Sequence, residues 1–166
     1  MPHDEKKRYN IRIEVVHRLE VACSLIANGK IDVAGCYVVI DNITNNVTGN
    51  WKYLPETPEQ VAGRVIKLRE AILAASAKAV VVCEIKPIGT IDVRPYSLLV
   101  HRYLLTCGKT GYGCRTQIRR DYLKADGIHI KPQFDSVLDR TYACALLGVH
   151  VSNPTPFDEL APKKGI

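Results

Sequence analysis

From Arg12 onward, Ile13, Val16, Leu19, Ala22, Cys23 and Ile26 recur at helical spacing, and "ANGK" at 27–30 supplies the asparagine and glycine that stop a helix. The pattern then changes. Residues 36–40 form a short, continuous β-rich run that ends abruptly in the polar stretch "DNITNN", the signature of a strand covered on both faces. "ETPEQVAGRVIKLREAILAASAK" next predicts a helix from its start signals: Thr57 as N-cap, Pro58 in the first position, Gln60 placed for a capping box and Glu59 near the positive end of the dipole. Val61, Val65, Leu68, Ile72 and Ala75 give it one apolar stripe. "AVVVCEI" follows as a second buried strand, so residues 36–85 read as strand, loop, helix, strand, a βαβ unit with parallel strands. Further helices fit "RPYSLLVHRYLLTC" and "PQFDSVLDRTYACALLG".

The fold class that follows is α/β, with a mostly parallel sheet between helices. Chemistry is expected in the loops at the carboxyl ends of the strands, residues 41–50 and 86–91. The segment 126–129 precedes the last helix and is placed to reach the same edge. One domain over residues 12–149 is expected, between an N-terminal segment, 1–11, and a proline-rich tail, 150–166.

Composition adds limits. With 46% hydrophobic and 24% charged residues the chain is globular in type, and no run approaches the roughly 20 apolar residues of a membrane helix. The first residues lack a signal-peptide core, so a cytoplasmic setting without membrane contact is expected. Six cysteines, Cys23, Cys36, Cys83, Cys107, Cys114 and Cys144, lie in apolar segments without C-x-x-C spacing; they read as buried thiols rather than a zinc site, with disulfides second. No metal or other cofactor is expected. "GKTGYG" at 108–113 lacks the upstream glycine and leading strand of a P-loop. Trp51, in the long loop after the first strand, reads as a staple for the following helix. Asn46-Val47-Thr48 satisfies the glycosylation pattern, unused without secretion.

Two stretches carry candidate chemistry. The first is "DGIH", residues 126–129: a carboxylate three residues before an imidazole, with Gly127 giving the backbone freedom for both to come from one tight loop. The order of parts, "CYVVIDNITNN", a helix, "AVVVCEIKPIG", "SLLVHRYLLTC" and "DGIHIKPQFDSVLDRTYACALLG", resembles the SGNH, or GDSL-type, hydrolases over roughly residues 12–148. That resemblance implies a three-layer, flavodoxin-like α/β/α domain acting on an ester substrate. It implies His129 as general base, Asp126 as the residue that orients it, and Asn42 as oxyanion donor, with Asn45 and Asn46 as alternatives. The family's opening strand and its Gly-Asp-Ser nucleophile have no counterpart here, and "IDNI" replaces the family's Gly-x-Asn-Asp. The resemblance thus implies a domain lacking its first strands and inactive alone. The apolar edge of the strand at 36–40 would then need a cover, from the N-terminal decapeptide, an upstream segment or a second copy of the chain, and would leave the protein unstable without one.

The second stretch is basic. Between residues 86 and 124, Lys86, Arg94, Arg102, Lys109, Arg115, Arg119, Arg120 and Lys124 face only Asp92 and Asp121, a local excess equal to the +6 of the whole chain. Interleaved Tyr96, Tyr103, Tyr112 and Tyr122 would supply stacking faces for nucleic acid, with Lys109, Arg115, Arg119 and Arg120 as phosphate contacts. Some degenerate SGNH domains bind RNA in this way, and a solvated basic face is the plainer account.

Overall fold

The computed structural model describes residues 12–49, 53–89, 92–114, 120–127, 129–135, 141–142 and 144–146. Its elements in chain order are α1 (Leu19–Ala27), β1 (Tyr37–Ile40), α2 (Thr44–Thr48), α3 (Pro58–Ala74), β2 (Ala79–Val82) and α4 (Arg94–Gly108), followed by 3-10 turns at Arg120–Tyr122 and Pro132–Phe134. Asp135, residues 141–142 and residues 144–146 are helical, within the stretch expected to form the last helix. The rest of that stretch, the segment 1–11, the tail 150–166 and Trp51 lie outside the described residues.

The helix signals at Thr57 act as the sequence implies. The Thr57 hydroxyl accepts from the Gln60 amide at 3.2 Å while the Gln60 side chain accepts from the Thr57 amide at 2.9 Å, and Pro58 opens α3 without losing a needed donor. The buried stripe of α3, Val61, Ala62, Val65, Leu68 and Ile72, meets α1 through Leu19, Ala22 and Ile26 and α4 through Val100 and Leu104. Below it β1 and β2 pair in parallel, from Tyr37 opposite Ala79 to Ile40 opposite Val82. The period of two along the strands splits their side chains between two clusters. Val38, Ile40, Val80 and Val82 join the α1–α3–α4 core, whereas Val39, Val81 and Cys83 pack with Cys114, Tyr142, Ala145 and Leu146. The mixed helical and parallel-strand organisation is that of an α/β chain. Among the described residues the sheet holds two strands, with Cys83 and Cys114 adding one parallel bridge at the end of β2.

The first helix begins later than its apolar spacing suggests. Residues 12–16 are not helical, and Ile13 and Val15 are 64% and 74% exposed. The reason is local competition for backbone acceptors. The Val16 carbonyl accepts from the Asn42 side chain at 2.9 Å and the His17 carbonyl from Asn45 at 3.1 Å, so partners from the loop after β1 hold this segment outside the helix. The loop itself contains the single-turn α2, which the polar composition of "DNITNN" did not announce.

Candidate functional site

Asp126, Gly127 and His129 sit at the tip of a small hairpin. Leu123 bridges Ile130 in antiparallel fashion, the Lys124 amide donates to the His129 carbonyl at 2.7 Å, and the Lys131 amide donates to the Tyr122 carbonyl at 2.8 Å. Tyr122 is buried and stacks on Phe134 with ring centroids 4.2 Å apart, which anchors the hairpin base. At the tip, Asp126 does two things. One oxygen accepts the His129 backbone amide at 3.0 Å, an ordinary turn cap, and the other lies 2.6 Å from His129 Nδ1. With the carboxylate accepting from Nδ1–H, the free ring nitrogen is Nε2, the one able to take a proton. The imidazole is 71% exposed and the carboxylate 45% exposed, so the pair faces outward.

The hairpin meets the loop that follows β2 backbone to backbone. The Gly89 amide donates to the Gly127 carbonyl at 2.6 Å, and a Cβ on Gly127 would stand 2.5 Å from Gly89 Cα. Gly127 also has φ +73°. Glycine is therefore required at position 127, and this crossing brings Asp126 and His129 to the carboxyl side of β2.

Earlier in the loop after β2, Lys86 belongs to a second cluster. Asp41, directly after β1, accepts from the Lys86 ammonium with one oxygen and from the Tyr142 hydroxyl with the other. Burial opposes the charge of Lys86, but the Asp41 carboxylate outweighs it and leaves the amine above its usual value. Lys86 is thus an internal cation, not part of a basic surface. The two loops expected to carry chemistry do meet here. The signal available in the sequence was position alone: a charged residue of each sign just past two buried strands.

Asn42, the expected oxyanion donor, spends its amide on the Val16 carbonyl, and Asn45 spends its own on His17. Asn46 is fully buried: its oxygen caps α1 by accepting from the Leu19 amide at 3.0 Å, while its nitrogen donates to Glu20 at 2.9 Å and Glu56 at 2.6 Å. The glycosylation pattern at Asn46 is therefore closed in the folded chain. Around Asn46, Arg18 donates to Glu20 at 2.7 Å and Arg64 to Glu56 at 2.6 Å, and Arg18 lies 4.2 Å from the centre of the Tyr53 ring. For Glu20, burial would raise the carboxyl; the hydrogen bonds from Arg18 and Asn46, its own backbone amide and the charge of Arg64 outweigh it and hold the group at about 2. A depressed carboxyl stabilises the fold above its unfolded value and loses that contribution as pH falls through the folded one. Stability is accordingly expected to decline between pH 4.5 and about 2, the ordinary and folded values of Glu20. Glu20→Gln should flatten part of that limb by about 1 kcal/mol, a partly solvated pair being screened, in urea unfolding measured at several pH values.

The basic stretch is less of a surface than its count suggests. Lys86 is internal, and Arg94 is paired with Asp92 at 2.9 Å. Arg102, Lys109 and Lys124 are exposed; Arg115 and Arg119 lie outside the described residues, as does the side chain of Arg120. Lys109 caps α4 in the left-handed conformation, and Arg69 donates to the Gly108 carbonyl and the Thr110 hydroxyl, so "GKTGYG" is tied down at its start. The tyrosines expected to offer stacking faces turn inward. Tyr96, Tyr103 and Tyr112 pack against the main core, Tyr96 donates to the Glu56 carbonyl, Tyr112 stacks on His101 at 5.1 Å, and Tyr122 lies under Phe134. Tyr122 is buried and the other three are partly buried, and the hydroxyls of Tyr96 and Tyr112 find polar partners.

Among the described residues no group of three or more His, Cys, Asp or Glu side chains is placed to hold a metal ion, and no helix is long and apolar enough to cross a membrane. No protein-family model, curated protein or solved structure matches the chain.

Proposed function

We propose that Asp126 and His129 are the orienting acid and the general base of an SGNH-type ester or acyl hydrolase site, in a three-layer α/β/α domain. The chain contains no Gly-Asp-Ser, so it does not turn over esters by itself. The observation that carries this reading is the 2.6 Å contact between Asp126 and His129 Nδ1, on a hairpin locked to the carboxyl side of β2. A carboxylate on one ring nitrogen fixes the tautomer in which the other accepts the proton of a nucleophile. The division of strand side chains between two clusters supports the layered architecture.

The test adds a nucleophile. The 166-residue chain is expected to give no turnover of p-nitrophenyl acetate above a His129→Ala control. The same chain joined to an upstream strand ending in Gly-Asp-Ser is expected to hydrolyse it, with His129→Ala lowering kcat by about 10⁴-fold. Hydrolysis by the fused protein that survives His129→Ala would remove histidine from the role of base.

The competing class, an RNA-binding module, retains the exposed Arg102, Lys109 and Lys124, while Tyr96, Tyr103 and Tyr112 pack partly against the main core and Tyr122 is buried. If RNA is bound through charge, fluorescence anisotropy with a single-stranded RNA will show affinity falling steeply with salt. Lys109→Glu with Arg119→Glu and Arg120→Glu will then abolish binding; unchanged affinity would refute this class.

A further inference from the structure

Cys83 and Cys114 are the two thiols brought face to face by the fold. They are bridge partners in a parallel pairing, with the Cys114 and Gly113 amides donating to the Val82 carbonyl and the Glu84 amide donating to the Cys114 carbonyl. Paired residues on neighbouring strands point to the same face at a spacing of about 4.8 Å, within the roughly 4.4–6.8 Å between α-carbons that a disulfide spans. Both side chains are buried in one small cluster, under Val39, Tyr142, Ala145 and Leu146. The other four cysteines, Cys23, Cys36, Cys107 and Cys144, lie outside this pair, and Cys107 is exposed on α4.

We propose that Cys83 and Cys114 form an oxidisable dithiol, a site at which a peroxide closes an intrachain disulfide at the carboxyl end of β2. This inference does not rest on the hydrolase reading. One sulfur attacks the O–O bond of hydrogen peroxide, giving a sulfenic acid and releasing water. The second sulfur then displaces the hydroxyl as a second water, each thiol giving up its proton, so that two thiols and one peroxide become one disulfide and two waters. Both thiols are buried, and peroxide is attacked by a thiolate, so the pair reacts only when its cover opens. The hydrogen bond from Cys114 and burial together push the Cys83 thiol well above its usual value, aided by the charge of Asp41 and opposed by Lys86. A small oxidant reaches the pair by local opening of the cover formed by Tyr142, Ala145 and Leu146, which the Tyr142 to Asp41 hydrogen bond holds in place. The resulting link encloses all of α4 in a covalent loop and ties the end of β2, three residues before Lys86, to the segment after "GKTGYG".

The experiment treats the folded, reduced protein with hydrogen peroxide at low protein concentration, quenches it with an alkylating agent, and reads intact mass and tryptic peptides. Trypsin separates the two cysteines from every other one, because Lys86 and Arg94 are each followed by proline: Cys83 leaves in peptide 79–102, Cys114 in 110–115 and Cys107 in 103–109. The expected result is a chain lighter by two hydrogen atoms, a linked 79–102/110–115 pair, and a higher Tm that dithiothreitol reverses. Cys107→Ser should leave the link intact, and Cys114→Ser should abolish it. An unchanged mass, sulfinic adducts on unlinked thiols, or a two-hydrogen loss that maps to other cysteines would overturn the proposal.

Discussion

Asn46→Ala is expected to lower the stability of the protein by about 3 kcal/mol, the combined effect of leaving one buried amide and two carboxylates short of a partner. The side chain has no solvent contact and makes three hydrogen bonds, to Leu19, Glu20 and Glu56. Removing it uncaps α1, whose own N-cap residue, Arg18, offers no side-chain acceptor. It also leaves Glu20 and Glu56 facing each other with only Arg18 and Arg64 between them. Urea unfolding followed by circular dichroism should show a lower midpoint with an unchanged slope. Asn46→Asp is the sharper variant: it keeps the acceptor for Leu19 but sets a third negative charge against two, so it should be at least as destabilising at pH 7 and recover in part as the acids protonate. A midpoint for Asn46→Ala within about 0.5 kcal/mol of the parent would show that water replaces the side chain at no cost.

Gly127→Ala is the second large effect, and it acts on the site directly. Alanine there must adopt φ +73° and place its methyl carbon 2.5 Å from Gly89 Cα. Gly29→Ala provides the control, since Gly29 also has positive φ, +79°, with nothing within 4 Å of its would-be Cβ. The control should cost about 1 kcal/mol, the conformational term alone. Gly127→Ala should cost about 2 kcal/mol more, because the backbones must part. Parting breaks the 2.6 Å hydrogen bond from the Gly89 amide, so hydrogen exchange at that amide should quicken by at least tenfold while amides in α3 keep their protection. Equal effects at the two glycines would mean that the crossing does not hold the hairpin.

The sequence announced local structure well where the responsible residues were neighbours. The capping box of α3 needs Thr57 and Gln60, three residues apart, and both were readable with their roles. The start of α1 was not, because its cap comes from Asn46 in a different element, and two more asparagines of the same loop draw the preceding backbone out of helical pairing. A periodic run can show that a helix exists without showing where tertiary contacts cut it short. The site follows the same rule. Asp126 and His129 were visible because a three-residue spacing brings them together, whereas the meeting of Asp41, Lys86 and Tyr142 joins the ends of two strands to the last helical segment. The tyrosines misled for a related reason: spacing along a basic segment cannot tell which ring faces solvent. Three of them fill the space beside the core, and Tyr122 braces the hairpin.

The crossover through α3 also sets an order of events during synthesis. Parallel pairing of β1 with β2 cannot begin until α3 and the turn after it have been made, since the register starts with Tyr37 opposite Ala79. A nascent chain that has just released α3 from the ribosome already holds one helical interface, α1 on α3, yet its first strand still lacks β2, its one partner among the described residues. During that interval Val38, Val39 and Ile40 form a short adhesive segment, so slowing translation between α3 and β2 prolongs the moment at which two nascent chains can stick to one another.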